Sequence, residues 1–235
     1  MNRSSRNILM IEEVAKALGN LLPQCVFTGG ATTALYIDDP GAPEPTPSDD
    51  VDLVLEVATH QEYVALEQAL RKHGFKDPAG FDDAPICRKY LGSIAVDFMT
   101  PDPKILGFSN EWYPEALQHS IPFSLSSGRV IRIFSLPYFV ASKLAAFQGR
   151  GAAQDIRMSQ DLEDICSVFD GNANSVSKIL NSNPRVRTYI AAQFSGLLQD
   201  RDILEEAAYG FIGYTPEGRP RVARLMAMIS EIATM

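Results

Sequence analysis

Asp50 and Asp52 are separated by one residue at the start of an apolar run that predicts a β-strand. A strand places residues i and i+2 on the same face, with Cα atoms about 6.6 Å apart. Carboxylates paired in this way, together with substrate phosphates, are a typical ligand set for Mg²⁺. The spacing therefore indicates metal-dependent phosphoryl chemistry, such as that on a nucleoside triphosphate, although acidic triplets also occur as solvated strand positions.

A third carboxylate, Asp97, interrupts the apolar strand pattern that runs from Ser93 to Met99. Burying a lone aspartate is costly, so its position needs a reason, either a polar partner or a functional site. Beside Asp50 and Asp52 it has one, because three carboxylates can hold two Mg²⁺ ions. One of the three can also accept the proton of an attacking hydroxyl. We therefore expect Asp50, Asp52 and Asp97 to be both catalytic and metal-binding residues.

A glycine pair, Thr28-Gly29-Gly30, follows a short apolar segment and precedes a predicted helix. The absence of Cβ atoms lets a phosphate approach the backbone N–H groups at a helix N-terminus, where the helix dipole also favours anions. The same residues also suit a tight strand-to-helix turn, and the two interpretations are compatible. Neither the P-loop pattern Gly-x-x-x-x-Gly-Lys nor the dinucleotide pattern Gly-x-Gly-x-x-Gly occurs in the chain.

The elements that must position these residues change in type along the chain. The first part predicts a mixture of helices and short strands, including a hairpin around Gly92 and a proline-rich loop from Asp38 to Asp49. After Ser135 only helices are predicted: Leu136–Gln148, Gln160–Phe169, Val176–Leu180, Arg185–Leu198 and Arg221–Ile232. The sequence thus predicts an α+β fold with an αβ core at 1–134 and a helical domain at 135–235.

Composition places the chain among ordinary soluble proteins. The net charge of −8 belongs to residues 1–87, which hold 6 Lys and Arg against 14 Asp and Glu, while the rest is neutral. Three widely spaced cysteines argue against a disulfide framework and a zinc site. The N-terminal segment has no uninterrupted apolar run typical of a secretory signal. We expect a cytoplasmic protein with no membrane association.

At these residues the chain resembles the nucleotidyltransferases of the DNA polymerase β superfamily. Their signature is a Gly-Gly or Gly-Ser turn, then Asp-x-Asp, then a third acidic residue on a later strand. Within that superfamily it resembles the AbiEii-type branch, the toxins of type IV toxin–antitoxin systems. The residues that carry this second resemblance are Lys143 in Lys-Leu-Ala-Ala-Phe, Arg150, and Asp161 in Asp-Leu-Glu-Asp-Ile.

The resemblance implies a nucleotidyltransferase core, a mixed sheet flanked by helices, followed by a helical domain that closes the nucleotide cleft. It implies Mg²⁺ or Mn²⁺ as cofactor and transfer of a nucleoside monophosphate from an NTP to an acceptor hydroxyl. The acceptor is RNA, protein or a small molecule, and an antitoxin protein is an expected partner of a toxin-like enzyme. The implied nucleotide-binding residues are Thr28, Gly29, Gly30, Lys143, Arg150 and Asp161.

Two other functions fit the same residues. The chain could be a catalytically inactive nucleotide-binding or regulatory protein, or a small-molecule, antibiotic-modifying nucleotidyltransferase. Local alternatives also stand. Lys143 and Arg150, two helical turns apart, could simply extend along the surface of an amphipathic helix, and Asp161 could be an acid favoured by the dipole at a helix N-terminus.

Overall fold

The computed structural model describes residues 3–57, 59–79, 84–150 and 155–235. It confirms an α+β fold and divides into two compact units. The first comprises Met1–Thr32 and Thr46–Ser135, and the second comprises Thr33–Pro45 and Leu136–Met235. Among the described residues, no helix combines the length and apolar character needed to cross a membrane.

The first unit contains a mixed sheet, six-stranded over the residues described, in the order β3-β4-β2-β1-β6-β5. β2 runs parallel to β4 and β1 runs parallel to β6, and the remaining neighbours are antiparallel. The strands are β1 (Cys25–Thr28), β2 (Asp50–Leu55), β3 (Arg88–Leu91), β4 (Ile94–Met99), β5 (Ile121–Ser124) and β6 (Val130–Ile133).

Apolar residues at alternate and consecutive strand positions form the core of this unit. Phe27, Leu53 and Phe98, which pair in register on three adjacent inner strands, are fully buried on one face of the sheet. The helices of the unit are α1 (Arg3–Leu18), α2 (His60–Lys72), α3 (Pro103–Leu106) and α4 (Tyr113–Gln118), with a 3-10 helix at Gly19–Gln24. A capping box of Thr59 and Glu62 begins α2, as the sequence predicts.

The second unit is helical. Its core includes Phe139, Phe169 and Phe194, and the rings of the last two pack edge to face with centroids 5.7 Å apart. Its longer elements are α5 (Leu136–Gly149), α6 (Gln160–Gly171), α7 (Ser175–Leu180), α8 (Pro184–Leu197), α9 (Arg201–Ile212) and α10 (Gly218–Ala233). The helix α9 is not among those predicted from the sequence. Short 3-10 helices lie at Ile156–Met158 and Leu198–Asp200.

Two details add to the sequence prediction. The short helix expected after the glycine pair is present as a 3-10 helix, Gly30–Tyr36. The segment Thr33–Pro45, which contains the end of that 3-10 helix and the first part of the proline-rich loop, groups with the helical unit although it lies far from that unit in sequence. The backbone N–H groups of Asp38 and Asp39 both donate to the carbonyl of Gly171, at 2.9 and 3.0 Å. Hydrogen bonds therefore hold this segment, in addition to the restriction that its prolines place on the backbone.

Candidate active site

One row of residues crosses four strands of the sheet. Asp52 on β2 pairs in register with Asp97 on β4 and with Thr28 on β1, and Arg88 on β3 pairs with Asp97. Residues directly opposite each other on neighbouring strands face the same side of a sheet. Asp50, two residues before Asp52, shares this face. The structure thus places the three aspartates predicted from the sequence on one face of neighbouring strands.

Arg88 binds two of the three carboxylates. Its Nε and Nη2 atoms donate to Oδ1 and Oδ2 of Asp97, both at 2.8 Å, and Nη2 also donates to Oδ2 of Asp50 at 2.6 Å. Nη2 therefore donates to both acids, and the two oxygens that accept from it lie close together. The two bonds to Asp97 form a bidentate pair, the geometry in which arginine binds a carboxylate most strongly.

The pKa of Asp50 depends on the charged and polar groups around it. Partial burial and then the negative charge of Asp97 raise the pKa of Asp50, while Arg88 and a hydrogen bond from Ser48 oppose that rise. Ser48 Oγ donates to Oδ1 of Asp50 at 3.3 Å, and its backbone N–H donates to buried Asn7 at 3.0 Å. Hydrogen bonding to Asp97 is the main cause that raises the pKa of Arg88. Arg88 therefore stays charged.

Gly29 packs directly against the side chain of Asp52. Its φ of +75° lies in the left-handed region, and a Cβ atom added there would be 1.7 Å from Asp52 Oδ2 and 2.7 Å from Asp52 Cβ. The Gly29 carbonyl accepts hydrogen bonds from Thr32, from N–H at 3.1 Å and from Oγ1 at 2.8 Å. Glycine is required here because no side chain fits beside the carboxylate.

The short 3-10 helix weakens one expectation about the Gly29-Gly30 turn. The sequence predicts that phosphate binds at a helix N-terminus, where aligned peptide dipoles attract anions. The element that begins at Gly30 has only seven residues and 3-10 geometry. Because such a helix aligns fewer dipoles less well, the attraction it offers is smaller than that of an α-helix. The dipole of this element is therefore a weak argument for a ligand at the turn.

The three carboxylates lie on one face of the sheet beside a turn without Cβ atoms, and carboxylate oxygens are the ligands that a hard divalent cation prefers. Within the described part of the chain, however, no three acidic, histidine or cysteine side chains stand close enough to enclose a metal ion. Two of the acids instead bind Arg88. Asp50, Asp52 and Asp97 are the residues that would hold a metal, and in this arrangement a guanidinium supplies the positive charge.

The second unit contains the other residues singled out from the sequence. Lys143 Nζ lies 2.7 Å from Asp164 Oδ2 and 3.2 Å from Asp161 Oδ1. Thr33 Oγ1 donates to Asp164 Oδ1 at 2.9 Å. Arg150 Nη2 is 3.2 Å from Asp161 Oδ2, an ion pair without hydrogen-bond alignment. Both aspartates are buried, so the cluster joins α5 and α6 of this unit.

Sequence reasoning missed Arg88 and Thr33. The sequence contains a signal for Arg88, because a hairpin with a two-residue turn at Gly92-Ser93 fixes the register that sets Arg88 opposite Asp97. No local pattern identifies Thr33, whose partner Asp164 is 131 residues away. Neither a scan against protein-family models nor a search of curated proteins found a match to this chain.

Proposed function

We propose that the chain is a metal-dependent nucleotidyltransferase that moves a nucleoside monophosphate from an NTP to an acceptor hydroxyl and releases pyrophosphate. The observation that carries the proposal is the pairing of Asp52 with Asp97 on adjacent parallel strands, with Asp50 on the same face. The close packing of Gly29 against Asp52 supports it, because this brings a turn without side chains beside the acids.

Each acid has a role in this proposal. Asp50 and Asp52 hold the metal ions, and Asp97 completes the site and accepts the proton of the attacking hydroxyl. Bound Mg²⁺ or Mn²⁺ supplies charge stabilisation for the transferred phosphoryl group. Thr28, Gly29 and Gly30 line the approach to the phosphates. Burial and the charge of Asp97 raise the pKa of Asp50 in spite of Arg88 and Ser48, and a bound cation would oppose that rise.

The finer assignment follows the resemblance to the AbiEii-type branch. It makes the enzyme a toxin-like nucleotidyltransferase acting on RNA or protein, with an antitoxin as its partner. Lys143, Arg150 and Asp161 are then nucleotide-binding residues. The ion pairs within the second unit constrain this role, because a phosphate that binds Lys143 has to compete with Asp161 and Asp164.

The test is transfer of label from each of four α-³²P-labelled NTPs, with Mg²⁺, to RNA, protein and small-molecule fractions. We expect one acceptor fraction to be labelled and pyrophosphate to be released. Asp50→Asn and Asp52→Asn should each reduce turnover by a factor of at least about 100, because an amide binds Mg²⁺ poorly. Asp49→Asn is the matched control, since this exposed neighbour carries the same charge.

Circular dichroism of each variant verifies that it folds. Full activity of folded Asp50→Asn or Asp52→Asn would exclude the metal role of that residue. Labelling confined to the small-molecule fraction would favour an antibiotic-modifying enzyme over a toxin.

One observation favours a second candidate, a catalytically inactive nucleotide-binding or regulatory protein. Arg88 pairs with both Asp50 and Asp97, so a single internal cation offsets part of their negative charge without metal. This candidate predicts NTP binding by calorimetry and no labelling with any NTP. Asp52→Asn should then leave NTP affinity in Mg²⁺-free buffer nearly unchanged.

A further inference from the structure

Every oxygen of Asp50 and Asp97 accepts a hydrogen bond. Arg88 donates to both oxygens of Asp97 and to Oδ2 of Asp50, and Ser48 donates to Oδ1 of Asp50. A Mg²⁺ ion binds oxygens at about 2.0 to 2.1 Å and repels a guanidinium at the same atoms. A metal ion and Arg88 therefore compete for these carboxylates, because their positive charges repel each other even though each oxygen has lone pairs for both.

Arg88 also has a physical reason to be there. Two carboxylates that share one side chain's nitrogen lie close enough to repel each other, and both are more than two-thirds buried. Removing the partner of a buried charge is strongly destabilising. An arginine stays protonated at all physiological pH values, so the acids are released only when another cation replaces it.

The position of Arg88 on the sheet allows it to leave. β3 ends the sheet on one side over the residues described, and the Arg88 side chain retains 24% of its exposure. The next residue, Lys89, points to the opposite face, is only 5% exposed and binds Glu67 at 2.6 Å and Asp77 at 2.7 Å. Lys89 anchors the strand, so Arg88 can rotate into solvent without moving the backbone.

We infer that Arg88 is an exchangeable internal cation, which holds Asp50 and Asp97 in the metal-free protein and is displaced from them when a divalent cation binds. This inference rests on the proposed function, since it assigns the regulation of the same site. Its consequence is that free Mg²⁺ binds more weakly than three carboxylates alone would allow, because binding includes the loss of the Arg88 hydrogen bonds.

The first experiment is calorimetric titration of the full chain with Mg²⁺ alone, at constant ionic strength and without nucleotide. Hydrogen bonds to charged groups are worth about 1.5 to 3 kcal/mol, so Arg88→Gln should bind Mg²⁺ at least about tenfold more tightly than wild type. Arg71→Gln is the matched control, because Arg71 pairs with exposed Asp77 in the same unit. Its affinity should equal that of wild type.

The outcomes separate the two proposals. If wild type and Arg88→Gln bind Mg²⁺ with the same affinity, the inference is overturned and the metal role of the acids stands. If neither binds Mg²⁺, the proposed metal-dependent function fails and the inference fails with it.

A second experiment uses the wild-type protein and does not depend on folding of the glutamine variant. The Nε–H resonance of Arg88 is identified in a ¹⁵N spectrum by its loss in Arg88→Lys. Mg²⁺ at the concentration that saturates calorimetric binding should shift this resonance and leave that of Arg71 in place. An Arg88 resonance that does not move would show that the guanidinium stays on the acids, contrary to the inference.

Discussion

Ion pairing and steric fit at single residues decide how Asp50, Asp52 and Asp97 are arranged. Arg88 binds Asp50 and Asp97, and Asp52 packs against Gly29, where no other residue fits. Gly29 is a fold residue and a site residue at once, since the turn and the position of Asp52 depend on the same missing Cβ. This double role can be separated by comparing two glycines.

We predict that Gly29→Ala destabilises the protein by about 3 kcal/mol, because a left-handed backbone costs alanine about 1 to 2 kcal/mol and Asp52 must also move. Gly92→Ala is the control. Gly92 has a φ of +60°, but no atom lies within 4 Å of an added Cβ. It should cost only the backbone share, and urea unfolding measures both. Equal losses for the two variants would show that the Asp52 contact contributes nothing to stability.

At the scale of elements, polar groups hold the strand and the helices that carry the site residues. Edge strand β3 is fixed by Lys89, which is buried and ion-paired, and by backbone bonds between Lys76 and Tyr90 at 2.8 and 2.9 Å. In the second unit, Lys143 joins α5 to α6. Both lysines lie between acids in sites that exclude most solvent.

The β3 anchor predicts a pH dependence. Hydrogen bonds from Arg71 and then Lys89 lower the pKa of Asp77 from its ordinary value to about 2. Since the folded-state pKa lies below that of the unfolded chain, the carboxylate stabilises the fold above about pH 4 and loses this effect as the pH falls towards 2. The difference in unfolding free energy between wild type and Asp77→Asn should therefore shrink from pH 7 to pH 3. A constant difference would contradict the assignment.

The Lys143 cluster predicts a large stability effect that is separate from any effect on nucleotide binding. Lys143→Ala leaves Asp161 and Asp164 buried without their shared cation, which should lower the free energy of unfolding by about 3 kcal/mol. Lys178→Ala, on an exposed position of α7, should change it by less than about 0.5 kcal/mol. Urea unfolding of both decides the matter, and similar values would show that the cluster contributes little.

The same variant tests the role that the resemblance assigns to Lys143. Calorimetry with NTP and Mg²⁺, carried out where Lys143→Ala is still folded, should give weaker binding than wild type. If affinity is unchanged while stability falls, Lys143 joins two helices and is not a nucleotide ligand.

At the scale of the whole molecule, the chain alternates between its two units. It leaves the first after Thr32, contributes Thr33–Pro45 to the second, and returns to begin β2. An ion-pair chain holds this segment within the second unit: Arg221 binds Asp39 at 2.9 Å and buried Asp170 at 2.8 Å. These ion pairs add to the packing of buried Tyr36, whose ring centroid lies 4.6 Å from that of Phe139.

We predict that Arg221→Ala makes the backbone amides of Asp38 and Asp39 exchange with solvent about tenfold faster, because their bonds to Gly171 lose the adjacent ion pair. Arg219→Ala, at an exposed position of the same helix, is the control and should leave these rates unchanged. Hydrogen exchange followed by NMR measures both. Unchanged protection in Arg221→Ala would show that the backbone bonds alone hold the segment.

The sequence by itself determined the elements whose signals are local. The capping box at Thr59, the hairpin turn at Gly92 and the alternation around Asp97 each need only neighbouring residues, and the structure has a capped helix, a hairpin and a strand there. Strand alternation likewise places Asp50 and Asp52 on one face. The helix α9 was not among the predicted elements, although its residues are also contiguous.

Only the tertiary structure determined which partner each charged or polar side chain has. Asp52 pairs with Asp97 because β2 and β4 are parallel neighbours, and Thr33 reaches Asp164 because Thr33–Pro45 joins the helical unit. Such partners lie tens of residues apart in the chain, and no periodicity records which segments come together. Pairing of buried charges is set by this long-range packing, since each charge must find its counter-ion where the fold places it. The sequence therefore shows which acids are present, and the fold shows that Arg88 holds two of them.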